Sequence, residues 1–244
     1  MLAELLQGVR YLLTGCRLLA RPGLRRYVAV PLLISAAIFS LGIYVAGQKM
    51  GAVIDGMIPA WLDWARYLLW PLFAAAALVI LYFGFVITAS VVAAPFNGTL
   101  ARAVEHDLTG TAQEPAFDWR DLPKEFALTT IAELRKIGYF LMLALPCLLA
   151  QFVPLIGQLL WFIYGAWVLA CNYADYPMGN HGLRFPEQRR LLRRCPGLTL
   201  GFGIGVLGMT LIPIVNFFAM PAAVAGATAL YLERLRARDG TASG

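Results

Sequence analysis

Charge is scarce in this 244-residue chain and very unevenly spread. Asp, Glu, Lys and Arg make up 14% of the residues, and none of them falls in 27–48, 67–101, 137–174 or 195–232. An uncharged apolar run of about 18 residues or more is long enough to cross a bilayer as a helix. A water-soluble fold of this length has no use for four such runs. Histidine is rarer still: His106 and His181 stand alone, with no HExxH or CxxC spacing around them, so no metal site is expected. The cysteines Cys16, Cys147, Cys171 and Cys195 lie far apart in apolar pattern, which makes them small packing residues rather than a disulfide frame. The lysines Lys49, Lys124 and Lys136 never follow glycine, which excludes a Walker A loop and, with it, coupling to ATP by this chain alone. No cofactor is expected. Met1 to Ala20 holds charges and no small-residue cleavage site, so it does not read as a signal peptide.

What remains is 60% hydrophobic sequence with short charged islands and a formal net charge of +6. An all-α integral membrane protein forming a single domain over 1–244 is the expected class, and the excess of Arg and Lys reads as membrane topology rather than nucleic-acid binding. Residues 1–20 place Leu2, Leu5, Leu6, Val9, Leu12, Leu13, Cys16 and Leu19 on one helical stripe and Gln7, Arg10, Thr14 and Arg17 on the other side. That pattern suits an amphipathic helix lying along the interface. Arg21-Pro22-Gly23 breaks it, and spanning helices are expected over 24–47 and 67–101. Residues 102–136 form a polar cytoplasmic segment with helical pattern from Lys124 to Lys136.

The runs 137–174 and 195–232 are too long to be single spans. Each would reach about 57 Å as one helix, nearly twice the hydrocarbon thickness. Pro154 and Pro213 sit near their midpoints and remove a backbone donor there, so each is expected to be a helical hairpin penetrating only partway. The two crests, Val153-Pro154-Leu155-Ile156 and Ile212-Pro213-Ile214-Val215, resemble each other and are followed by Gln158 and Asn216. If both hairpins return to the side they left, all basic residues except Lys49 and Arg66 share one face, which should be cytoplasmic and should hold both termini. The opposite island carries Trp61, Trp64, Tyr67 and Trp70 as an interfacial aromatic belt.

Candidate sites are few. Gly203-Ile-Gly205-Val-Leu-Gly208 has dinucleotide-loop spacing but no preceding strand, and Gly201 with Gly205 reads better as a small-residue contact between helices. Asp175 and His181 are conceivable as an acid–base pair, but no nucleophile accompanies them. The strongest constellation is Arg21-Pro22-Gly23-Leu24-Arg25-Arg26, at the start of the first spanning helix. The first turn of a helix leaves amides unpaired and carries partial positive charge. Gly23 permits close approach of a ligand, and guanidinium forks complement a tetrahedral oxyanion. Arg pairs beside a spanning helix also serve as plain topological anchors, and both readings are open at this level.

Pro22-Gly23-Leu24-Arg25-Arg26, Leu68-Leu-Trp-Pro71, Ala93-Ala-Pro-Phe-Asn-Gly98, Asp175-Tyr-Pro-Met-Gly-Asn-His181, Phe185 and Met220-Pro-Ala-Ala-Val-Ala-Gly-Ala-Thr228 together resemble the CysZ family of bacterial sulfate transporters. The resemblance runs from about residue 5 to 235. It implies an inner-membrane protein that admits sulfate for cysteine biosynthesis, with two full spans plus partly penetrating hairpins. It also implies sulfate binding at Gly23, Leu24, Arg25 and Arg26. Channel-like passage without ATP is the expected mechanism. Arg102, Glu105, Glu133 and Arg135 are candidates for a polar pathway, or else a solvated or paired cytoplasmic face. The expected partners are sulfate, membrane lipids and further copies of the chain, with no nucleic acid. Two other classes compete: a scaffold that binds anionic lipid without selective transport, and a membrane-embedded enzyme, for which no polar catalytic cluster is visible.

Overall fold

A computed structural model of the chain describes residues 1–57, 66–110 and 122–236. Every regular element among the described residues is helical. Eight α-helices follow one another: α1 (Leu2–Leu19), α2 (Pro22–Met57), α3 (Arg66–Thr109), α4 (Leu122–Leu149), α5 (Ile156–Asn180), α6 (Phe185–Arg194), α7 (Pro196–Thr210) and α8 (Pro213–Leu230). A short 3₁₀ turn (Ala150–Phe152) follows α4, and a π-helical turn (Tyr231–Leu235) follows α8. Trp61 and Trp64 lie outside the described residues, as do the side chains of Tyr67 and Trp70.

The chain divides into two compact units, 26–96 and the remainder. Within the first, the apolar side chains of α2 face outward: Leu32, Leu33, Ile38, Leu41 and Tyr44 are all exposed. Pro22–Val45 and Leu134–Phe152 are long and apolar enough to cross a membrane, with mean hydropathies of 2.3 and 1.3. Along Leu134–Phe152 every side chain is exposed or half-buried except that of Lys136, which is buried.

The second unit is built on α1, α5, α7 and α8. Glycines bring these helices together. A Cβ added at Gly8 would collide with the α7 backbone at Leu198 and Phe202, and one at Gly201 with the α1 backbone at Leu5. Gly15 and Gly226 do the same between α1 and α8, and Gly203 lies against Ala166 of α5. Backbones this close gain dispersion contacts that larger side chains would forbid. Phe202, Leu12, Met178, Leu192, Ala222 and Ala223 fill the interior around these crossings. Residues 1–20 therefore bury Gly8, Leu12, Gly15 and Leu18, while Leu2, Leu6 and Leu13 of the leucine stripe stay exposed.

The break between α4 and α5 falls at Val153-Pro154-Leu155. Leu155 takes φ of 67°, a left-handed conformation rare for leucine, and the side chains on either side hold it. Gln158 accepts from the Leu155 amide, and Gln151 Nε2 donates to the Gly157 carbonyl at 3.0 Å. The break between α7 and α8 falls at Leu211 and Ile212, directly before Pro213, which opens α8 where its missing N–H is harmless.

Candidate functional site

The corner from α1 to α2 is a composite of capping and packing. Leu24 is buried, with 3% of its surface exposed. Its amide and that of Arg25 turn back to the Arg21 carbonyl, at 3.1 and 3.3 Å. Pro22 has no N–H to satisfy. The Gly23 amide has no acceptor among the described residues, Gly23 is exposed, and nothing lies within 4 Å of where its Cβ would stand. Arg21 is drawn aside by an ion pair with Asp107 near the end of α3. Arg25 donates from Nε to the Ala20 carbonyl at 2.8 Å, which closes the end of α1 and leaves its two Nη groups outward. Arg26 belongs to the other unit, where its guanidinium stacks at 5.0 Å over the Tyr27 ring and donates to the Tyr27 hydroxyl at 3.3 Å. The corner thus sets an exposed glycine amide at a helix start, where the backbone carries partial positive charge, beside the Arg25 guanidinium in the same turn.

A second polar assembly lies inside the helical unit. Glu105, on α3, is 8% exposed and receives His181 Nε2 at 2.9 and 3.1 Å, with Arg236 at 3.7 Å. Asn180, one residue before His181, donates to the Gly98 carbonyl at 3.1 Å. Asn97 reaches the Tyr176 hydroxyl at 3.3 Å and the Met220 sulfur at 3.2 Å. One turn earlier on α5, Asp175 accepts Lys136 Nζ at 2.6 Å and Gln188 Nε2 at 2.8 Å. Gln188 also donates to the Leu183 carbonyl at 2.8 Å, while its buried Oε1 has no partner among the described residues. Removing charges from water is costly, and close pairing is the standard remedy. The assembly thus has two centres, Glu105 with His181 and Arg236, and Asp175 with Lys136 and Gln188. A cavity of about 480 Å³ opens beside the second, lined by Lys136, Asn172, Tyr173, Asp175, Tyr176 and Met220.

The predicted site residues are thus distributed. Gly23, Leu24 and Arg25 share the corner, and Arg26 continues α2 in the other unit. Glu105 is a buried centre, Arg102 is half-buried on α3, and Arg135 is exposed on α4. The Glu133 side chain lies outside the described residues. Asp175 and His181 do not pair with each other; each has its own partner on another helix. Lys136, Gln188, Asn97 and Asn180 were missed as site residues. The missing signal was spatial: Lys136, Asn97 and Asn180 pair across 39, 79 and 82 residues, and Gln188 reaches Asp175 across a helix break.

The chain matches the family model described as sulfate transporter CysZ/etoposide-induced protein 2.4 over residues 11–221. A protein of Pseudomonas fluorescens named sulfate transporter CysZ is 39% identical over 243 residues, covering 97% of both chains. One of Pseudomonas paraeruginosa with the same name is 41% identical over 238 residues, covering 93% of this chain and 95% of its own. One from Salmonella typhimurium, again so named, is 36% identical over 238 residues, covering 95% of this chain and 94% of its own. By a match that spans most of its length, with relatives this similar from end to end, the chain belongs to the CysZ family.

Proposed function

We propose that this protein sits in the bacterial inner membrane, carries out no enzymatic chemistry, and admits sulfate for cysteine biosynthesis by a channel-like route without ATP hydrolysis. One observation carries the reading. The family's relatives are named sulfate transporters, and in this chain the start of α2 offers an open, exposed Gly23 amide followed at once by Arg25 and Arg26. Sulfate would be captured there by Gly23, Leu24, Arg25 and Arg26, with Leu24 acting as the buried anchor of the turn. The exposed apolar surface of α2 and of Leu134–Phe152 supports lipid contact. In this reading α2 and α3 span fully, the pairs α4–α5 and α7–α8 penetrate partway, and both termini face the cytoplasm. Short hairpins leave polar ends needing cover, which favours assembly into homo-oligomers among membrane lipids. Arg102, Glu105, Glu133 and Arg135 would continue a polar route inward.

The electrical cost bounds the mechanism. A membrane negative inside opposes anion entry by about 2.3 kcal/mol per charge per 100 mV, and sulfate carries two. Passive influx therefore requires rapid consumption of sulfate inside, or a coupled cation. The competing lipid-binding scaffold is separated by titration of the purified protein. Transport predicts sulfate binding that chloride does not displace and that Arg25→Ala with Arg26→Ala abolishes in a folded protein. Binding of phosphatidylglycerol with no binding of sulfate would sink the transport reading.

A further inference from the structure

We infer that the cavity between α4, α5 and α8 is a second oxyanion subsite, distinct from the α1–α2 corner, and that Asp175 acts as its internal stand-in for the anion. This rests on the sulfate-transport reading for its ligand class. Lys136 is 8% exposed, so its ammonium sits in a nearly closed setting where a negative partner is obligatory. Asp175 is one such partner, at 2.6 Å. Asp175 is held from its other oxygen by Gln188 Nε2 at 2.8 Å, and Gln188 is itself fixed to the Leu183 carbonyl. The carboxylate can therefore surrender Lys136 and keep a donor.

The walls suit an oxyanion. Tyr176 already accepts a hydrogen bond from Asn97, so its own phenolic hydrogen is left to donate. Asn172 and Tyr173 line the same space with an amide and a hydroxyl. About 480 Å³ is room for a sulfate with several waters. The surroundings are basic as well. Tyr139, one turn beyond Lys136 on α4, has the Arg189 guanidinium 4.5 Å from its ring centroid and accepts from Arg193 at 3.2 Å. An anion entering the cavity exchanges with Asp175 on Lys136. An ammonium with a tethered, displaceable carboxylate binds weakly enough to release its ligand, which is what a transit site needs and a storage site does not.

The test uses full-length purified protein in three forms: unchanged at positions 136 and 175, Asp175→Asn, and Lys136→Met with Asp175→Asn. Each also carries Arg25→Ala and Arg26→Ala, so that the corner is silent in titration. Asp175→Asn should raise the affinity for sodium sulfate at least tenfold, and adding Lys136→Met should remove the gain. Should Asp175→Asn prove too unstable in chloride, recovery of the folded protein specifically in sulfate supports the subsite, and equal recovery in both salts overturns it. A gain seen with phosphatidylglycerol nanodiscs and absent with sodium sulfate would mean a lipid headgroup site and would also overturn it. With the corner intact, the Lys136→Met/Asp175→Asn pair should lower sulfate flux into liposomes at least tenfold while leaving binding at the corner unchanged; wild-type flux would refute the transit role. A wild-type protein without selective flux refutes the transport reading instead, and the Asp175→Asn titration still decides the subsite.

Discussion

Gly23→Ala separates the needs of the fold from those of the ligand. Gly23 lies in the first turn of α2, its φ is not positive, and no atom stands within 4 Å of the added methyl group. Alanine should therefore be tolerated and should stabilise the helix by about 0.5–1 kcal/mol, because glycine loses more backbone entropy on folding. The ligand is affected in the opposite sense. The methyl group occupies the open side of an amide that has no acceptor among the described residues, the place an oxyanion must approach. Losing one hydrogen bond to a charged group is worth about 1.5–3 kcal/mol, or roughly ten- to hundredfold in affinity. Calorimetric titration with sulfate and thermal unfolding of the same samples read both effects. The expected pattern is an unchanged or raised melting temperature with sulfate affinity reduced at least tenfold. Undiminished affinity in the folded variant would refute the amide contact and leave the arginines as plain anchors.

Three further outcomes follow from the packing. Gly201→Val should fail to fold or lose at least about 2–3 kcal/mol, since even its Cβ meets the Leu5 backbone; Gly23→Val, facing open space, should not, and thermal unfolding compares the two. Glu105→Ala should cost about 1–3 kcal/mol by leaving His181 without its acceptor, whereas Glu105→Gln, which keeps an acceptor for His181, should cost distinctly less on the same assay. Tyr11, whose hydroxyl donates to Glu233 at 2.9 Å and accepts from Arg234 at 3.3 Å, has its pKa pushed up chiefly by burial. The neutral phenol is thus favoured in the folded state, so its contribution is complete below the usual tyrosine pKa of about 10 and fades as pH rises through the higher folded value. Tyr11→Phe should remove about 0.5–1.5 kcal/mol and flatten that alkaline loss, and an unchanged alkaline slope in unfolding experiments would contradict the assignment.

Much of the helix plan was legible because it rests on local signals. Proline at 154 and 213 falls where the long apolar runs break, and Arg21-Pro22-Gly23 falls where α1 gives way to α2. The face of α1 was read differently. Periodicity weighs side-chain size, so it selected the leucine stripe, whereas packing against α7 and α8 selected Gly8 and Gly15, the residues with least side chain. Gly201 and Gly205 had signalled such a contact from the α7 side, and they lie against Leu5 and Val9 of α1. The polar centre was least legible. Asp175 and His181 are neighbours in sequence, but a helix turns about 100° per residue and sends them to different partners. Glu105 was named as a polar-pathway candidate, but its pairing with His181, and Lys136 with its pairing to Asp175, emerge only from the folded helices, because such contacts leave no periodic trace. The Gly23–Arg26 corner stood out in the sequence for the opposite reason: its glycine and its arginines are consecutive residues at a helix start, a pattern that suits an anion.

The most direct test of the account is the initial rate of radiolabelled sulfate uptake into liposomes containing this purified protein alone, without nucleotide, against chloride and phosphate competitors. The account predicts saturable uptake that excess chloride leaves intact and that Arg25→Ala with Arg26→Ala reduces to the rate of empty liposomes. Uptake no faster than in empty liposomes, with or without a proton gradient, would contradict it.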